Sequence, residues 1–321
     1  MSEGDAGTAL NKMTNDIWKM IYGKWFCALP YRSFVLVVIL GIFVTAISVS
    51  AQRQTKRSQS HPRLTRVESF SEEERLTVEQ AIGVVCAERA RDDRGSVPID
   101  DMQKRPSLPL QAPEVARGAA RARRLLPVAK GLVIASLREL SVAYQINRAR
   151  YHNARINRAI ARVQAVTRIR PDIDARDNAS VFLKSPDTIT FGTIFLASLR
   201  SDEGMISVLS HELVHIGDGE TDTLRELFRA VGGRASRLTG LRIREQRAEE
   251  LTCDLAGELA VQAFITGSPN YDPLPRRLAR SVEHNCVDED DSDEEHLSPR
   301  NTLRALLTID ATLRRGIVFG K

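Results

Sequence analysis

Aromatic residues and cysteines are both scarce in this sequence. Phe, Trp and Tyr make up 5% of the 321 residues, and no zinc-finger or RNA-binding signature occurs, so nucleic acid is not an expected partner. Three of the four cysteines, Cys86, Cys253 and Cys286, follow the long apolar run. An odd number does not make a disulfide framework, so buried free thiols are predicted, although a Cys86–Cys286 bridge is conceivable in an oxidising compartment.

Charge is distributed unevenly along the chain. The formal net charge is +5, yet the block Asp288–Glu295 contains seven acidic residues in eight. The rest of the chain is therefore more basic than the total indicates, which suits anionic lipid or acidic partners. The acidic block itself predicts a solvated loop.

The longest apolar run, residues 34–51, contains no charged residue. As a helix it just spans a bilayer, which predicts a single-pass membrane anchor in contact with lipid. A signal peptide is the alternative, because Val49-Ser50-Ala51 resembles a small-residue cleavage site; the long tail ahead of the run favours the anchor. The flanking positive charges weakly favour a cytoplasmic catalytic domain, whereas a signal peptide would make that domain periplasmic.

The chain is organised around the motif His211-Glu212-Leu213-Val214-His215. The two histidines are four residues apart, so on a helix they lie one turn apart on one face and can bind a single zinc ion. Zinc lowers the pKa of a water molecule, and Glu212 can take its proton as general base while the water attacks a peptide carbonyl. The motif predicts zinc-dependent peptide hydrolysis with one zinc ion per chain.

The flanking residues predict that this motif lies on a half-buried helix. Ser201 or Asp202 can cap the start of the helix, and Gly217 and Gly219 end it. An unpaired ionisable cluster would be costly on such a helix, which favours a metal site. An apolar stripe recurs at helical spacing, formed by Met205, Leu209, Leu213 and Ile216.

A third metal ligand must come from elsewhere in the chain. Asp218 and Thr221 stand where the metzincin motif needs Gly and His, which argues against that arrangement. A downstream segment of helical composition, EQRAEELTCDLAGELAVQAF, presents Glu250 and Asp254 on one face. Glu250 is the predicted third ligand, and Asp254 is the predicted acceptor of a hydrogen bond from a ligand histidine. The alternatives for the third ligand are Glu249, Asp222 and His296.

The order of these motifs resembles the HtpX-like and CAAX prenyl protease family of membrane-associated zinc metallopeptidases, which are of the gluzincin type. The similar segments are Asn178-Ala179 before a short apolar run, Thr188–Gly192 before a helix, SDEGMISVLSHELVHI, and Glu250-x-x-x-Asp254. The resemblance implies a predominantly helical α+β fold, in which a zincin-like metallopeptidase domain contains a small edge-strand sheet. The chain departs from the family at Cys253, where Ala is usual, and at residues 184–186, which replace Pro-Gly-Gly.

Three short strands are predicted, at Thr167–Arg170, Ser180–Leu183 and Thr188–Phe191, with Pro171 ending the first. An edge strand beside a zinc helix can bind a protein or peptide substrate in extended form through main-chain hydrogen bonds. Affinity would then depend little on the side chains of the substrate.

The region near the C-terminus offers candidates for transition-state stabilisation. The family often has a His-Pro stretch followed by an Arg-bearing helix, which His296 and Arg304 resemble. A cation near the zinc could stabilise the oxyanion of the tetrahedral intermediate. Arg300 and Tyr271 are further candidates for the same role.

The remaining segments predict helices and linkers. A helix capped by Ser71–Glu74 runs to about Arg91, residues 92–113 form a loop, and residues 114–166 form two or three helices. The predicted organisation is an N-terminal tail (1–33), a transmembrane anchor (34–51), a linker (52–70), a helical region (71–139) and a zinc metallopeptidase domain (140–321).

The sequence thus predicts a membrane-anchored zinc metalloendopeptidase, and the resemblance implies membrane or envelope proteins as its substrates. Two other classes stay open. One is a catalytically silent zinc-site domain that serves as a membrane-tethered scaffold or sensor. The other is a basic helical adaptor that binds lipid or nucleic acid and contains the motif by chance.

Overall fold

The computed structural model describes residues 70–91, 104–182, 184–219, 223–268, 272–281 and 293–319. These residues belong to one compact unit, Arg66–Lys321. Within these described ranges, no helix is both long and apolar enough to cross a bilayer. The predicted anchor at residues 34–51 lies outside the described residues.

The described residues form a predominantly helical α+β fold with one small sheet, as predicted. A short 3-10 helix, Ile146–Arg148, lies between the helices Pro113–Ala143 and Arg150–Ala165. The helices are α1 (Glu72–Arg91), α2 (Pro113–Ala143), α3 (Arg150–Ala165), α4 (Thr193–Ser198), α5 (Asp202–Asp218), α6 (Arg225–Thr239), α7 (Gln246–Gly267), α8 (Leu274–Ala279), α9 (Pro299–Ile309) and α10 (Ala311–Phe319).

Local side-chain capping explains where two of the helices begin. The Ser71 and Glu74 side chains each accept a hydrogen bond from the other's backbone N–H, at 3.1 and 2.9 Å, which makes a capping box at the start of α1. At α5 the Ser201 hydroxyl accepts from Gly204 N at 2.9 Å, so Ser201 is the cap. Gly219 follows the last residue of α5 with φ of +60°, a conformation that favours glycine.

The sheet contains β1 (Arg168–Asp172), β2 (Ala179–Val181) and β3 (Thr188–Gly192), in the order β1-β3-β2. Strand β3 is central, parallel to β1 and antiparallel to β2, which leaves β2 at one edge. The prediction that Pro171 ends the first strand is wrong, because Pro171 pairs with Phe191 inside β1. An edge strand tolerates a proline, since one of its sides needs no ladder hydrogen bonds.

Helix α5 is the centre of the core, packed against α2, α3 and α7. Its apolar residues Met205, Leu209 and Leu213 are fully buried, as their helical spacing predicts. On α7, a Cβ at Gly257 would lie 3.2 Å from the Ser207 carbonyl oxygen, so the missing side chain permits a close approach to α5. This approach brings the acidic face of α7 against the histidines of α5.

Helix α1 packs against the C-terminal helices α8, α9 and α10. Cys86 on α1 is disulfide-bonded, whereas Cys253 on α7 is free and buried. The prediction of free thiols is therefore wrong for Cys86, because counting cysteines in the sequence cannot show which of them the fold brings together.

Candidate metal centre

The two histidines of the motif converge on one point between α5 and α7. His211 and His215 lie one turn apart on α5, both half-buried, with their Nε2 atoms 3.1 Å apart. Glu250 of α7 reaches both rings, its Oε2 lying 3.1 Å from His211 Nε2 and its Oε1 3.4 Å from His215 Nε2. Two imidazole nitrogens and one carboxylate therefore face one another.

The other ring nitrogens of both histidines are held by carboxylates. His211 Nδ1 lies 2.9 Å from Asp254 Oδ1, and His215 Nδ1 lies 2.9 Å from Glu249 Oε1. These contacts fix the orientation of each ring and leave Nε2 as the inward nitrogen. Asp254 thus has the contact expected from the sequence, and Glu249, the first alternative ligand, contacts the outer side of His215.

The Cys253 thiol completes a group of donors that can hold a metal ion. His211, His215 and Cys253 each offer a ligand atom within 4.8 Å of the other two. Cys253 is fully buried and lies three residues after Glu250 on α7, which puts both residues on one helical face. The sequence predicts Cys253 as a buried free thiol and as a departure from the family, but not as a metal ligand, although this spacing from Glu250 was a signal for its position.

The histidines and Glu250 are strongly coupled electrostatically. Burial opposes a charged His211, but its hydrogen bonds to Asp254 and Glu250 outweigh burial and raise its pKa well above the usual value. Burial likewise opposes a charged His215, and its contacts with Cys253, Glu249 and Glu250 raise its pKa. Burial also opposes ionised Glu250, yet the two rings hold its pKa below its usual range. In the absence of a metal ion, positive charge therefore resides on the imidazoles.

Glu212 lies beside the histidines on α5 and is buried, with 7% of its surface exposed. Burial raises the pKa of its carboxyl, and the charge of Glu250 acts in the same direction, while His211 and His215 oppose this shift. A carboxyl whose pKa is raised toward neutrality is suited to accept and return a proton.

The candidates for transition-state stabilisation have different surroundings. His296 Nε2 lies 3.8 Å from Glu250 Oε2, and Asp293 holds His296 Nδ1 at 3.1 Å, so His296 stands at the edge of the centre. Arg304 Nε instead contacts Glu79 Oε1 of α1 at 2.8 Å, an interaction that fastens α9 to α1. Arg300 contacts the same glutamate at 3.2 Å. Tyr271, the remaining candidate for this role, and Asp222, an alternative third ligand, lie outside the described residues.

An edge of the sheet lies next to the histidine helix. Strand β2 packs against α5, and its outer side has no partner strand within the described residues. The adjacent Phe182 is exposed, with the Arg170 guanidinium 5.7 Å from its ring centroid. Within the described residues, β2 is therefore an edge strand beside the helix that carries the histidines.

No protein-family model, curated protein or solved structure matches this chain. The chemistry of the centre is therefore inferred from the residues that form it.

Proposed function

We propose that this chain is a zinc-dependent metalloendopeptidase of the HtpX-like type, in which His211, His215 and Glu250 hold the zinc ion. The convergence of three donors supports this most strongly. Bonds of about 2.1 Å in a tetrahedral zinc site separate neighbouring donor atoms by about 3.4 Å. Here the two Nε2 atoms are 3.1 Å apart, one oxygen of Glu250 lies 3.1 Å from His211 Nε2, and its other oxygen lies 3.4 Å from His215 Nε2, so the carboxylate faces both ring nitrogens at nearly the separation that the ion requires.

The charged groups around the two histidines also favour binding of a doubly charged metal ion. Three carboxylates, Glu249, Glu250 and Asp254, contact the two histidines. Metal binding displaces the ring protons from ligand nitrogens. The surrounding carboxylates therefore stabilise positive charge at this point, whether ring protons or a metal ion carry it.

Bound zinc supplies Lewis acidity, which polarises a peptide carbonyl and makes water a nucleophile near neutral pH. Glu212 is the proposed general base, because it is buried beside the ligand histidines and the raised pKa of its carboxyl suits proton transfer. Asp254 and Glu249 orient the ligand rings. His296, at the edge of the centre, is the candidate for stabilising the oxyanion.

The proposed substrate is an extended or unfolded protein segment. The edge strand β2 beside α5 favours this substrate class, because strand addition recognises main-chain groups. Membrane or envelope proteins remain the proposed physiological substrates, with residues 34–51 as the proposed single-pass anchor.

The direct test is proteolysis of an unfolded protein such as casein by the full purified chain. We expect cleavage that a zinc chelator stops and added zinc restores, and that Glu212→Gln abolishes while zinc stays bound. Glu226→Gln, on the surface of α6, is the matched control and should cleave as the parent does. A zinc-loaded parent that leaves casein and membrane-protein substrates intact would instead favour the silent scaffold.

The disulfide of Cys86 favours one side of the membrane. Disulfides persist in oxidising compartments and are rare where thiols are kept reduced. Because Cys86 is disulfide-bonded, the proposed location of the catalytic unit is an oxidising compartment such as the periplasm.

Thiol trapping in acid-quenched, denatured cells should label Cys86 only after reduction, with the free thiol of Cys253 as the internal control. Labelling of Cys86 without reductant would contradict this location.

A further inference from the structure

Cys253 lies where a fourth protein ligand would reach the metal ion. Its thiol is fully buried, and it is close enough to His215 to form a hydrogen bond with the ring. A ligand atom from each of His211, His215 and Cys253 lies within 4.8 Å of the others. Zinc bonds of about 2.1 Å to nitrogen and 2.3 Å to sulfur separate the two donors by about 3.6 Å, which is compatible with ligand atoms that all lie within 4.8 Å of one another.

We infer that Cys253 is a metal ligand, so that the loaded chain supplies two imidazoles, one carboxylate and one thiolate. This inference rests on the proposed function, because it assigns a further donor to the same metal ion. The alternative is a cysteine that only fills space in the core, as small buried thiols often do. Packing alone does not require the sulfur to lie within 4.8 Å of a ring nitrogen of each histidine.

The chemistry of the thiol is consistent with a proton that a metal ion replaces. Metal ions bind the thiolate and release its proton on binding. A soft sulfur donor also favours zinc over hard cations such as Mg²⁺ and Ca²⁺.

A fourth protein donor changes whether water or substrate can reach the metal ion. Catalytic zinc sites keep one position open for water or substrate, whereas four protein donors close the tetrahedron. With Cys253 bound, the thiolate must leave before water or substrate can take that position, so the parent should cleave casein only as fast as this exchange allows. Removal of the thiol should open the position, so a small hydroxamate should bind Cys253→Ala more tightly than the parent.

The test is the electronic spectrum of the full chain loaded with Co²⁺ alone. A thiolate ligand gives a near-ultraviolet charge-transfer band, and tetrahedral Co²⁺ gives intense visible bands whatever its donors. We expect both features in the parent, and loss of the near-ultraviolet band alone in Cys253→Ala and in Cys253→Ser, which nearly preserves the side-chain volume. Thr252→Ala removes a buried side chain from the neighbouring position and should keep both features.

The outcomes separate this inference from the proposed function. Visible bands without a charge-transfer band in the parent, or a band that survives in Cys253→Ser, would overturn the assignment of Cys253 and leave the metal centre intact. A folded parent that binds no Co²⁺ would overturn both. Even if a variant fails to fold, the spectrum of the parent shows whether a thiolate binds the Co²⁺ ion.

Discussion

Both ends of helix α5 contain buried charged groups, but the two ends differ in how those charges are balanced. Near the N-terminal end, Glu203 contacts Arg277 at 2.7 Å and Arg280 at 3.9 Å, and Arg280 contacts Asp272 at 2.8 Å. This cluster pairs each carboxylate with a guanidinium from α8 or the residue after it. Its charges are satisfied by the protein alone, which is the requirement for a buried ion pair.

At the histidine centre further along α5, protein groups alone do not balance the charges in this way. Three carboxylates surround two rings there, and the two inward Nε2 atoms face each other at 3.1 Å. If both imidazoles were neutral and protonated on Nδ1, the lone pairs of the two Nε2 atoms would face and repel each other. A proton or a cation between the two nitrogens removes this repulsion. The comparison indicates that the first cluster is balanced within the protein, whereas the second is a group of residues that can hold a metal ion.

The largest expected effect, on the free energy of unfolding, comes from disrupting the buried cluster of Glu203, Arg277, Arg280 and Asp272. Arg277→Ala leaves Glu203 without its closest partner in a buried position, which should lower the free energy of unfolding by about 3–5 kcal/mol. Denaturant unfolding measures this change. Arg117→Ala, which removes an exposed partner of Glu114, should cost less than about 1 kcal/mol. Equal losses in the two variants would contradict the structural role of the buried pair.

At the histidine centre, an intermediate effect is expected on zinc affinity rather than on folding. Asp254→Asn replaces the carboxylate that orients His211, and loss of such a group typically weakens metal binding by about 10–100-fold. Competition with a chromophoric chelator measures the affinity. Glu249→Gln should act similarly through His215, whereas Glu226→Gln on α6 should have no effect. Unchanged affinity in the first two variants would show that the outer carboxylates do not orient zinc ligands.

The effect expected to be smallest, taken per pH unit, is a pH dependence from Glu258, which lies on α7 one turn beyond Asp254. Burial raises the pKa of Glu258 to about 8, and the charges of Asp310 and Asp254 add to the shift. The folded chain then binds this proton more tightly than the unfolded chain, so stability falls as pH rises from about 4.5 to about 8. The slope from this group is at most about 1.4 kcal/mol per pH unit.

Glu258→Gln should flatten that slope, because the amide does not ionise. Thermal unfolding should give similar parent and variant stability at acidic pH and a more stable variant above neutrality. A parent and variant that diverge at acidic pH instead would contradict the raised pKa of Glu258.

Local signals in the sequence predicted the helices and the central motif. The capping box of Ser71 and Glu74, the cap at Ser201 and the four-residue spacing of His211 and His215 involve neighbours in the chain, so their geometry follows from helix periodicity. The three strands were also expected, though not the passage of β1 through Pro171.

Features that depend on tertiary packing could not be predicted in the same way. Glu249 and Glu250 are adjacent on α7, and only the rotation of α7 against α5 decides which of them faces the inward nitrogens. The contact of Arg304 with Glu79 joins residues that are 225 positions apart, and no local pattern marks it. Proximity of Cys253 to both histidines depends on the same close approach of two helices.

The central claim is most directly tested by the zinc content of the purified full chain, measured by elemental mass spectrometry beside its Glu250→Ala variant. We predict about one zinc ion per parent chain and far less in the variant, because the variant loses the donor that contacts both histidines. Zinc absent from a correctly folded parent would contradict the account.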